Sequence, residues 1–503
     1  MEIAIEINGK TVRAERGETI LEVLRRQGMS IPTLCHLPGL SPTGSCRICV
    51  VEVAGHQELL PSCSQRVEPG MSVRTHTPRL LEARKAIIEM LLASHKGECL
   101  HCSRNGECEL QELGAAFQIT ERRYPYTQRQ RGKDSSSEGL VLDHNKCILC
   151  QRCVRTCAEL MGITALDAAG RGTATRISTT LDKGLNLSDC IQCGQCTLVC
   201  PTGALQSRDM VEEVARLLSQ RDTFPVVSLS PVCALTLGEA LGARAGKDLS
   251  GILATALRMI GFRRVLDMSA GDDLYLRLTA EEVGRRIQEG IPSPLFSLAC
   301  PAWAQRSKHP LIHLPGDRSN APSPRQLMSL LSAVPESATF TDNLSHIVHV
   351  SIEPCTARRQ ELLREPLPPG RKPVSELVMT TRDLARLIRL FGIDINLLEE
   401  QAADDPLGVH SYAGKIMGMS GGTAEMVAQM VEDQLGAQPA GERRSARMRS
   451  PRWWKETSIR IGKKEYAFIA VNGLARLEEA LAQIARRRDI AFVEVMACPG
   501  GCL

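Results

Sequence analysis

The sequence has few aromatic residues and no long apolar run, and these absences narrow the class of protein. Aromatic side chains make up 3% of the 503 residues. The basic, Pro- and Gly-containing segment Gln438–Arg452 is predicted to be an exposed loop, and because only Trp453 and Trp454 lie beside it, no nucleic-acid partner is predicted. No stretch reaches about 18 uninterrupted apolar residues, so no membrane insertion is expected. The N-terminus alternates like a strand and lacks the pattern of a secretory signal, which predicts a cytoplasmic protein.

Neither sign of charge predominates. The formal net charge of +4 is small for this length and gives no reason to expect nucleic acid or a membrane surface as a partner. Hydrophobic residues make up 43% of the chain, which is ample for globular cores. Because single cores rarely grow past about 250–300 residues, we expect several domains.

Cysteine is abundant, with 20 residues. Without an export signal, disulfide bonds are not expected, and most of the cysteines lie two or three residues apart. This spacing suits a metal centre, because one short loop can point several sulfur atoms at the same ion. Zinc sites and buried thiols are the alternatives to iron–sulfur clusters.

The hydrophobic pattern divides the chain into a cysteine-rich front and an α/β second half. In the front, the pattern predicts a strand at Ile3–Ile7, a helix near Thr19–Gln27, a strand at Cys49–Val53 and a helix at Leu80–Ser94. From about residue 225, apolar runs alternate with helical patterns, which is typical of an α/β architecture. These predicted strands are Val226–Leu229, Ile347–Ile352, Ala467–Val471 and Ala491–Val495.

The first cysteine group has the spacing C-x10-C-x2-C-x13-C and consists of Cys35, Cys46, Cys49 and Cys63. It differs from the C-x4-C-x2-C spacing of plant ferredoxins. It resembles the two-iron domain at the front of hydrogenases, of the large iron–sulfur subunit of respiratory complex I and of some formate dehydrogenases. We therefore predict a [2Fe–2S] cluster, with zinc as the alternative.

A histidine precedes the second group, which reads H-x3-C-x2-C-x5-C and consists of His95, Cys99, Cys102 and Cys108. Three thiolates and one imidazole can hold a [4Fe–4S] cluster. The same three families place a histidine ligand at this point, so the resemblance implies that His95 is the ligand. His101, between two ligands, is predicted to be a bystander.

A repeated motif, C-x2-C-x2-C-x3-C, is the most specific signal of the front half. In two-cluster ferredoxins the fourth cysteine of each run binds the other cluster. One predicted cubane therefore uses Cys147, Cys150, Cys153 and Cys200, and the other uses Cys190, Cys193, Cys196 and Cys157. Four clusters in one chain are more than structural support requires, so we interpret them as an electron relay.

Five cysteines remain, and their spacing leaves buried thiols and a fifth cluster equally open. The flanking residues resemble the three signatures of iron-only (FeFe) hydrogenases. These are Ala299-Cys300-Pro301-Ala302-Trp303, Glu353-Pro354-Cys355-Thr356-Ala357-Arg358-Arg359-Gln360-Glu361, and Glu494-Val495-Met496-Ala497-Cys498-Pro499-Gly500-Gly501-Cys502. Shorter resemblances lie at 405–408 and 420–425.

The resemblance implies a fifth cluster and a catalytic unit. Cys300, Cys355, Cys498 and Cys502 would bind a [4Fe–4S] cubane, and Cys502 would bridge to a two-iron unit carrying CO and CN⁻, where protons and electrons form H₂. Segments with Pro231 and Met496 would line that unit. Cys233, in the Pro231 segment, is predicted to be a packed thiol.

Several residues depart from the family pattern. Ala299 and Thr279 replace a cysteine and a glutamate of the proton route, whereas Glu282 and Ser319 of that route remain. Alanine cannot carry a proton, and a lost general acid costs about 10²–10⁴-fold in rate. At the metal site the family's methionine, lysine and glutamine are replaced by Glu353, Arg358 and Arg325.

The resemblance implies a multidomain protein of the α/β class. Its catalytic domain would be α/β, and the whole chain, with its separate domains, would be α+β. Residues 1–78 would form a β-grasp-like [2Fe–2S] domain, 79–125 a His/Cys-ligated [4Fe–4S] domain, 138–210 a ferredoxin-like domain with two [4Fe–4S] clusters, and 220–503 an α/β hydrogenase-like catalytic domain. Relatives continue beyond the point corresponding to Leu503, so a truncated form or a second subunit is expected.

The expected activity is reversible H₂ oxidation and proton reduction, with a ferredoxin or an NAD(P)H-oxidising flavoprotein subunit as the redox partner. Two rival functions stay open. Ala299 and Thr279 favour a slow H₂ or redox sensor, and Glu353, Arg325 and the early stop favour an electron-transfer subunit without the two-iron unit.

Overall fold

The computed structural model divides the chain into two compact units. One consists of residues 1–190 and 194–207, and the other of residues 191–193 and 208–503. None of the described helices is both long and apolar enough to cross a bilayer. The described residues are 2–121, 123–126, 132–244, 246–332, 347–362, 375–405, 412–436, 438–439 and 453–502.

The first unit opens with a five-stranded mixed sheet. The strand order is Lys10–Glu15, Glu2–Ile7, Ser72–Arg74, Val50–Val53 and Leu60–Pro61. The helix Ile20–Arg26 covers this sheet, and Thr19 and Glu22 cap its first turn reciprocally. The predicted strands at 3–7 and 49–53 and the helix at 19–27 are thus confirmed to within two residues.

Short elements carry the remaining cysteines of the first unit. The helix Pro78–Ser94, confirmed where the sequence predicts it, leads to a 3₁₀ turn at Cys99–His101 and to the helix Glu109–Ala116. A three-stranded sheet and a small hairpin follow, with the short helices Arg152–Arg155 and Gln195–Val199. The sheet strands are Lys133–Asp134, Leu140–Asp143 and Leu205–Ser207, and the hairpin strands are Asp167–Ala169 and Arg176–Ser178.

Two sheets organise the second unit. The first is parallel throughout, in the order Arg264–Asp267, Phe224–Leu229, Ile347–Glu353 and Ser375–Thr380. The second is mixed, in the order Asp317–Arg318, Leu295–Phe296, Ile490–Met496, Lys464–Asn472, Trp454–Ile461 and Gln438–Pro439. All four strands predicted after residue 225 are confirmed, as is the α/β architecture.

Helices pack on both sheets and enclose three apolar cores among the described residues. The longest described helix, Ser269–Gln288, lies against the helix Gly422–Leu435 and buries Tyr275, Leu276 and Val283. The other helices of this unit with at least four residues are Val211–Leu218, Pro231–Ala240, Ser250–Ile260, Pro301–Arg306, Pro324–Ser332, Arg358–Glu361, Thr381–Leu390, Tyr412–Ile416 and Leu477–Ala485.

The predicted loop at Gln438–Arg452 is wrong at its first two residues. Gln438 and Pro439 form a short antiparallel edge strand on Trp454–Ile461, and a sheet edge is where proline is tolerated. The rest of that loop, and most of the resemblance at 405–408, lie outside the described residues.

The four segments that carry the hydrogenase-like residues all begin where a parallel strand ends. Ser230 follows Leu229, Ser297 follows Phe296, Pro354 follows Glu353, and Ala497 follows Met496. In open α/β sheets, ligands bind outside the carboxyl ends of the strands. The topology therefore directs the segments of both sheets toward the region where a site is expected.

Candidate functional site

The first four cysteines converge in the sheet domain of the first unit. Cys35 contacts Cys46 and Cys63, and Cys49 contacts Cys63. The hydrogen bond to Cys63 lowers the pKa of Cys49 to about 6. Four buried sulfur atoms in mutual contact fit a thiolate-ligated centre, and no disulfide joins any of the cysteines, all of which lie in the described residues.

His95 is buried, and a hydrogen bond orients its ring. Its Nδ1 lies 3.0 Å from the carbonyl oxygen of Lys146, which fixes Nδ1 as the donor and puts the imidazole lone pair on Nε2. Metal-binding histidines usually have this arrangement. His101, in contrast, is exposed. The thiols of Cys99 and Cys102 lie close enough to Cys108 to raise its pKa, after burial as the main cause.

The repeated motif brings cysteines from distant parts of its sequence together. A small cavity is lined by Cys147, Cys150, Cys153 and Cys200, the set that the ferredoxin pattern predicts for one cubane. Cys196 lies near Cys157 and Cys190 of the other predicted set. The remaining member of that set, Cys193, is assigned to the second compact unit.

The four signature cysteines of the second unit also gather. Loss of solvation, and then the neighbouring thiolates of Cys300, Cys355 and Cys498, raise the pKa of Cys502. Cys502 is exposed as a residue at the end of the described chain, yet many protein atoms surround its thiol. Burial raises the pKa of Cys355 to about 12, with a further contribution from Cys300. This donor set fits a [4Fe–4S] cubane.

A glycine turn holds Cys502 in place. The amide of Cys502 donates to the carbonyl of Gly418 at 3.0 Å. A Cβ atom on Gly418 would lie 2.3 Å from Val232, so only glycine allows this close approach. Pro231 begins the neighbouring helix and is buried, and Met496 is buried beside Gly501. The chain neighbour of Pro231, Val232, thus lies at the Gly418 turn that holds Cys502, and Met496 lies next to Gly501; their role as lining residues stays a prediction.

Cys233 packs in the hydrophobic core and is not one of the four signature cysteines. It is fully buried, and its thiol lies 3.2 Å from the hydroxyl of Thr381 and 3.7 Å from the carbonyl of Ile352. Burial raises the pKa of this thiol. The packed neutral thiol agrees with the interpretation of Cys233 drawn from the sequence.

Arg358 is engaged in a buried ionic network next to Cys355. Its guanidinium lies 3.6 Å from Glu353 and 3.0 Å from Glu361. Arg325 binds Glu361 at 3.2 Å and also binds Glu376. Sequence analysis missed Glu376, because a single glutamate in a strand has no motif. The three residues that depart from the family pattern here thus belong to one charge-paired cluster.

Two buried carboxyl groups border that network. Burial raises the pKa of Glu353, whereas Arg358 opposes the shift. Burial also raises the pKa of Asp272, on the helix Ser269–Gln288, and the charge of Glu353 adds to this effect. Asp272 was also missed, since nothing in its flanking residues indicates that it faces Glu353 and Arg358.

The outer residues of the predicted proton route are in contact, and the inner ones are not acid–base groups. The hydroxyl of Ser319 donates to the carboxylate of Glu282 at 3.2 Å. At the inner positions of the predicted route, Thr279 and Ala299 are both buried. Near them, the hydroxyls of Tyr275 and Ser297 form a buried hydrogen bond of 2.8 Å.

Four family models match the chain. The iron-only hydrogenase large subunit, C-terminal domain, matches residues 223–503. In the front half the matches are the 2Fe-2S iron-sulfur cluster binding domain at 1–78, the NADH-ubiquinone oxidoreductase-G iron-sulfur binding region at 84–123, and the NADH-quinone oxidoreductase subunit 3 ferredoxin-like domain at 139–206.

Two full-length relatives combine both halves. The NADP-reducing hydrogenase subunit HndD of Solidesulfovibrio fructosivorans is 32% identical over 512 residues, which cover 100% of this chain and 88% of the relative. Iron hydrogenase 1 of Clostridium pasteurianum is 28% identical, with 99% and 87% covered. The structure of an apo FeFe-hydrogenase from Chlamydomonas reinhardtii aligns with 59% of this chain and 83% of the hydrogenase chain. The TM-score is 0.50 and the sequence identity is 24%, which shows similarity of fold.

Proposed function

Because this chain belongs to the FeFe-hydrogenase family, we propose that it is an iron–sulfur oxidoreductase that interconverts H₂ with protons and electrons in its second unit. The observation that carries the proposal is the convergence of Cys300, Cys355, Cys498 and Cys502 at strand ends of two sheets. These four residues would hold a cubane, and Cys502 would bridge to a two-iron unit. That unit supplies the metal chemistry of H₂ when it is bound.

The protein's own residues would surround the two-iron unit, place a positive charge beside it and deliver protons. Pro231 and Met496 are both buried, Pro231 next to Val232 at the Gly418 turn and Met496 beside Gly501, and they would exclude water from the unit. Arg358 would supply a fixed positive charge, because Glu353 and Glu361 hold its guanidinium in one orientation. Ser319 and Glu282 would pass protons in from the outer side of the domain.

The front half would relay electrons to this site. We propose one [2Fe–2S] cluster, at Cys35, Cys46, Cys49 and Cys63, and three [4Fe–4S] clusters. His95 would complete the first of these three, since the Lys146 carbonyl already orients its ring. The cavity lined by Cys147, Cys150, Cys153 and Cys200 supports the second [4Fe–4S] cluster. With the cubane of the second unit, the chain would bind about 18 iron atoms besides the two-iron unit.

The redox partner would be an NAD(P)H-oxidising flavoprotein subunit or a ferredoxin. One full-length relative is named an NADP-reducing hydrogenase subunit. The front half is also 41% identical over 207 residues to an NADH-quinone oxidoreductase component of Rhizobium meliloti, and the match covers 41% of this chain and 24% of that protein. Similarity of the front half to components of pyridine-nucleotide enzymes supports this class of partner.

Infrared spectroscopy tests the proposal most directly. Protein matured with the two-iron unit should show CO and CN⁻ bands, and it should produce H₂ from a reduced viologen. Iron and sulfide analysis should give the predicted cluster content. Protein that binds mainly zinc, or matured protein without CO and CN⁻ bands, would contradict the assignment.

A slow H₂ or redox sensor is the second candidate, and a specific observation favours it. The inner proton route has a methyl group at Ala299 and a hydroxyl at Thr279, both buried. A sensor would show the same CO and CN⁻ bands with slow turnover. An electron-transfer subunit would show the cluster signals without these bands.

A further inference from the structure

A row of hydroxyl groups runs through the second unit where the family's proton-carrying side chains are missing. The helix Ser269–Gln288 carries Tyr275, Thr279 and Glu282 at helical spacings of four and three, which place them along one face. Tyr275 and Thr279 are fully buried, whereas Glu282 is partly exposed and accepts a hydrogen bond from Ser319. This face therefore leads from the outer acid into the core.

The inner end of this row of hydroxyl groups, at Ser297, adjoins the first hydrogenase signature, which begins at Ala299. The hydroxyl of Tyr275 lies 2.8 Å from that of Ser297, which directly follows the strand Leu295–Phe296. The amide of Ala299 in turn donates to the Ser297 hydroxyl at 3.3 Å. The Ser297 hydroxyl is thus held against the backbone of Ala299, next to the predicted ligand Cys300 in sequence.

Thr279 connects the row to its outer part. Burial raises the pKa of Tyr275, and the neighbouring hydroxyls of Ser297 and Thr279 oppose this shift, which places both next to the phenol. The Thr279 hydroxyl is buried and makes no geometrically aligned hydrogen bond with the described residues. Buried hydroxyls of this kind are normally satisfied by an ordered water.

We propose that Tyr275, with Thr279 and Ser297, is the inner proton relay of this enzyme and replaces the missing thiol and carboxyl groups. The proposal rests on the proposed function. A proton that enters at Glu282 would pass through a water at Thr279, the Tyr275 phenol and the Ser297 hydroxyl. In each hop one O–H bond forms as another breaks, so the proton that Glu282 gives up is balanced by one that leaves the Ser297 hydroxyl toward the reacting centre, and no electron moves. No hydroxyl has to ionise, because the hops are concerted.

Tyr275→Phe tests the relay, because it removes the hydroxyl and retains the ring. In matured protein with excess reduced viologen, H₂ production should fall about tenfold or more, and the solvent isotope effect in D₂O should increase. The CO and CN⁻ bands should stay unchanged. Tyr466→Phe is the matched control, since Tyr466 packs against the same core from the strand Lys464–Asn472 and is not part of the proposed relay, and it should leave the rate unchanged.

A second genetic background separates a relay from a structural role. In the variant with Ala299→Cys and Thr279→Glu, a thiol and a carboxyl bypass the phenol, so adding Tyr275→Phe should cost less than about twofold. An equal loss in both backgrounds, or no loss in either, would overturn the relay. If the Tyr275→Phe variant does not bind the two-iron unit, Ser297→Ala is tested in the same two backgrounds instead. It should lower H₂ production in the wild-type background and have less effect in the Ala299→Cys, Thr279→Glu background.

The outcome also distinguishes the relay from the proposed function. Wild-type protein without CO and CN⁻ bands overturns the proposed function. Wild-type protein that shows the bands and produces H₂, but is insensitive to Tyr275→Phe, overturns the relay alone. A crystal structure of protein carrying only its iron–sulfur clusters gives a readout independent of turnover. It should show an ordered water on Thr279, and an empty site there would contradict the route.

Discussion

Two glutamates bind the same arginine in the buried network, yet we expect their substitutions to have very different effects on stability. Glu361 binds two arginines, Arg358 at 3.0 Å and Arg325 at 3.2 Å. Glu353 binds one, Arg358 at 3.6 Å, and accepts a hydrogen bond from the Ser351 hydroxyl at 3.3 Å. Glu361→Gln would weaken the charge pairing of two buried guanidinium groups. Removing one partner of a buried pair costs about 3–5 kcal/mol, because an uncompensated charge remains.

Glu353→Gln should change the free energy of unfolding by less than about 1 kcal/mol. Arg358 keeps Glu361 as its partner, and burial already disfavours the charged form of Glu353, as its raised pKa shows. The two variants are matched, because each replaces a buried glutamate of the same network with an amide of the same shape.

Calorimetry of the cluster-loaded protein measures this difference as a change in the midpoint of the unfolding transition. In large domains 1 kcal/mol corresponds to roughly 2–4 °C, so Glu361→Gln should lower the midpoint by about 6 °C or more. Glu353→Gln should shift it by no more than a few degrees. Equal shifts, or a larger shift for Glu353→Gln, would refute the view that Glu361 is the central acid of the network.

Three further predictions concern ligands, protons and pH. His95→Cys should keep its cluster but lower the cluster's potential, because a thiolate adds negative charge, while His101→Ala should leave the paramagnetic resonance signal unchanged. Ala299→Cys combined with Thr279→Glu should raise H₂ production more than either change alone. Each single variant leaves one gap in the family's proton route. A matured double variant that has normal CO and CN⁻ bands but no gain in H₂ production would contradict this prediction. Burial raises the pKa of Glu494 to about 7. The folded state therefore holds this proton more tightly than the unfolded state, and stability should fall by roughly 3 kcal/mol as pH rises from about 4.5 to 7. Urea unfolding should show a smaller fall for Glu494→Gln, and identical pH profiles would contradict the assignment.

Local sequence spacing predicted the front half well, because its ligands come from short loops. Cys46 and Cys49, or Cys150 and Cys153, lie so close in sequence that any fold keeps them close in space. The pairing of Cys200 with the Cys147 run needed the ferredoxin pattern, and the structure brings these residues to one cavity. The roles of all these residues as ligands stay predictions.

Spacing alone did not predict the site of the second unit. Cys300, Cys355 and Cys498 meet because strands of two sheets end at the same place, and only the likeness to a family indicated this. Residues without any motif were missed altogether. Tyr275 and Ser297 are 22 positions apart and meet through the packing of a helix on a strand end, which no local pattern encodes.

The convergence of loops from two sheets has a consequence for the life of the protein before it receives metal. A cluster bound at Cys300, Cys355 and Cys498 would tie the parallel sheet to the mixed sheet as a cross-link that closes long loops. A newly made chain without iron has only side-chain packing and hydrogen bonds such as that from Cys502 to Gly418 to hold those loops together. Its signature loops should therefore be the first segments that proteases cut, so that iron supply would set how much of the newly made protein survives.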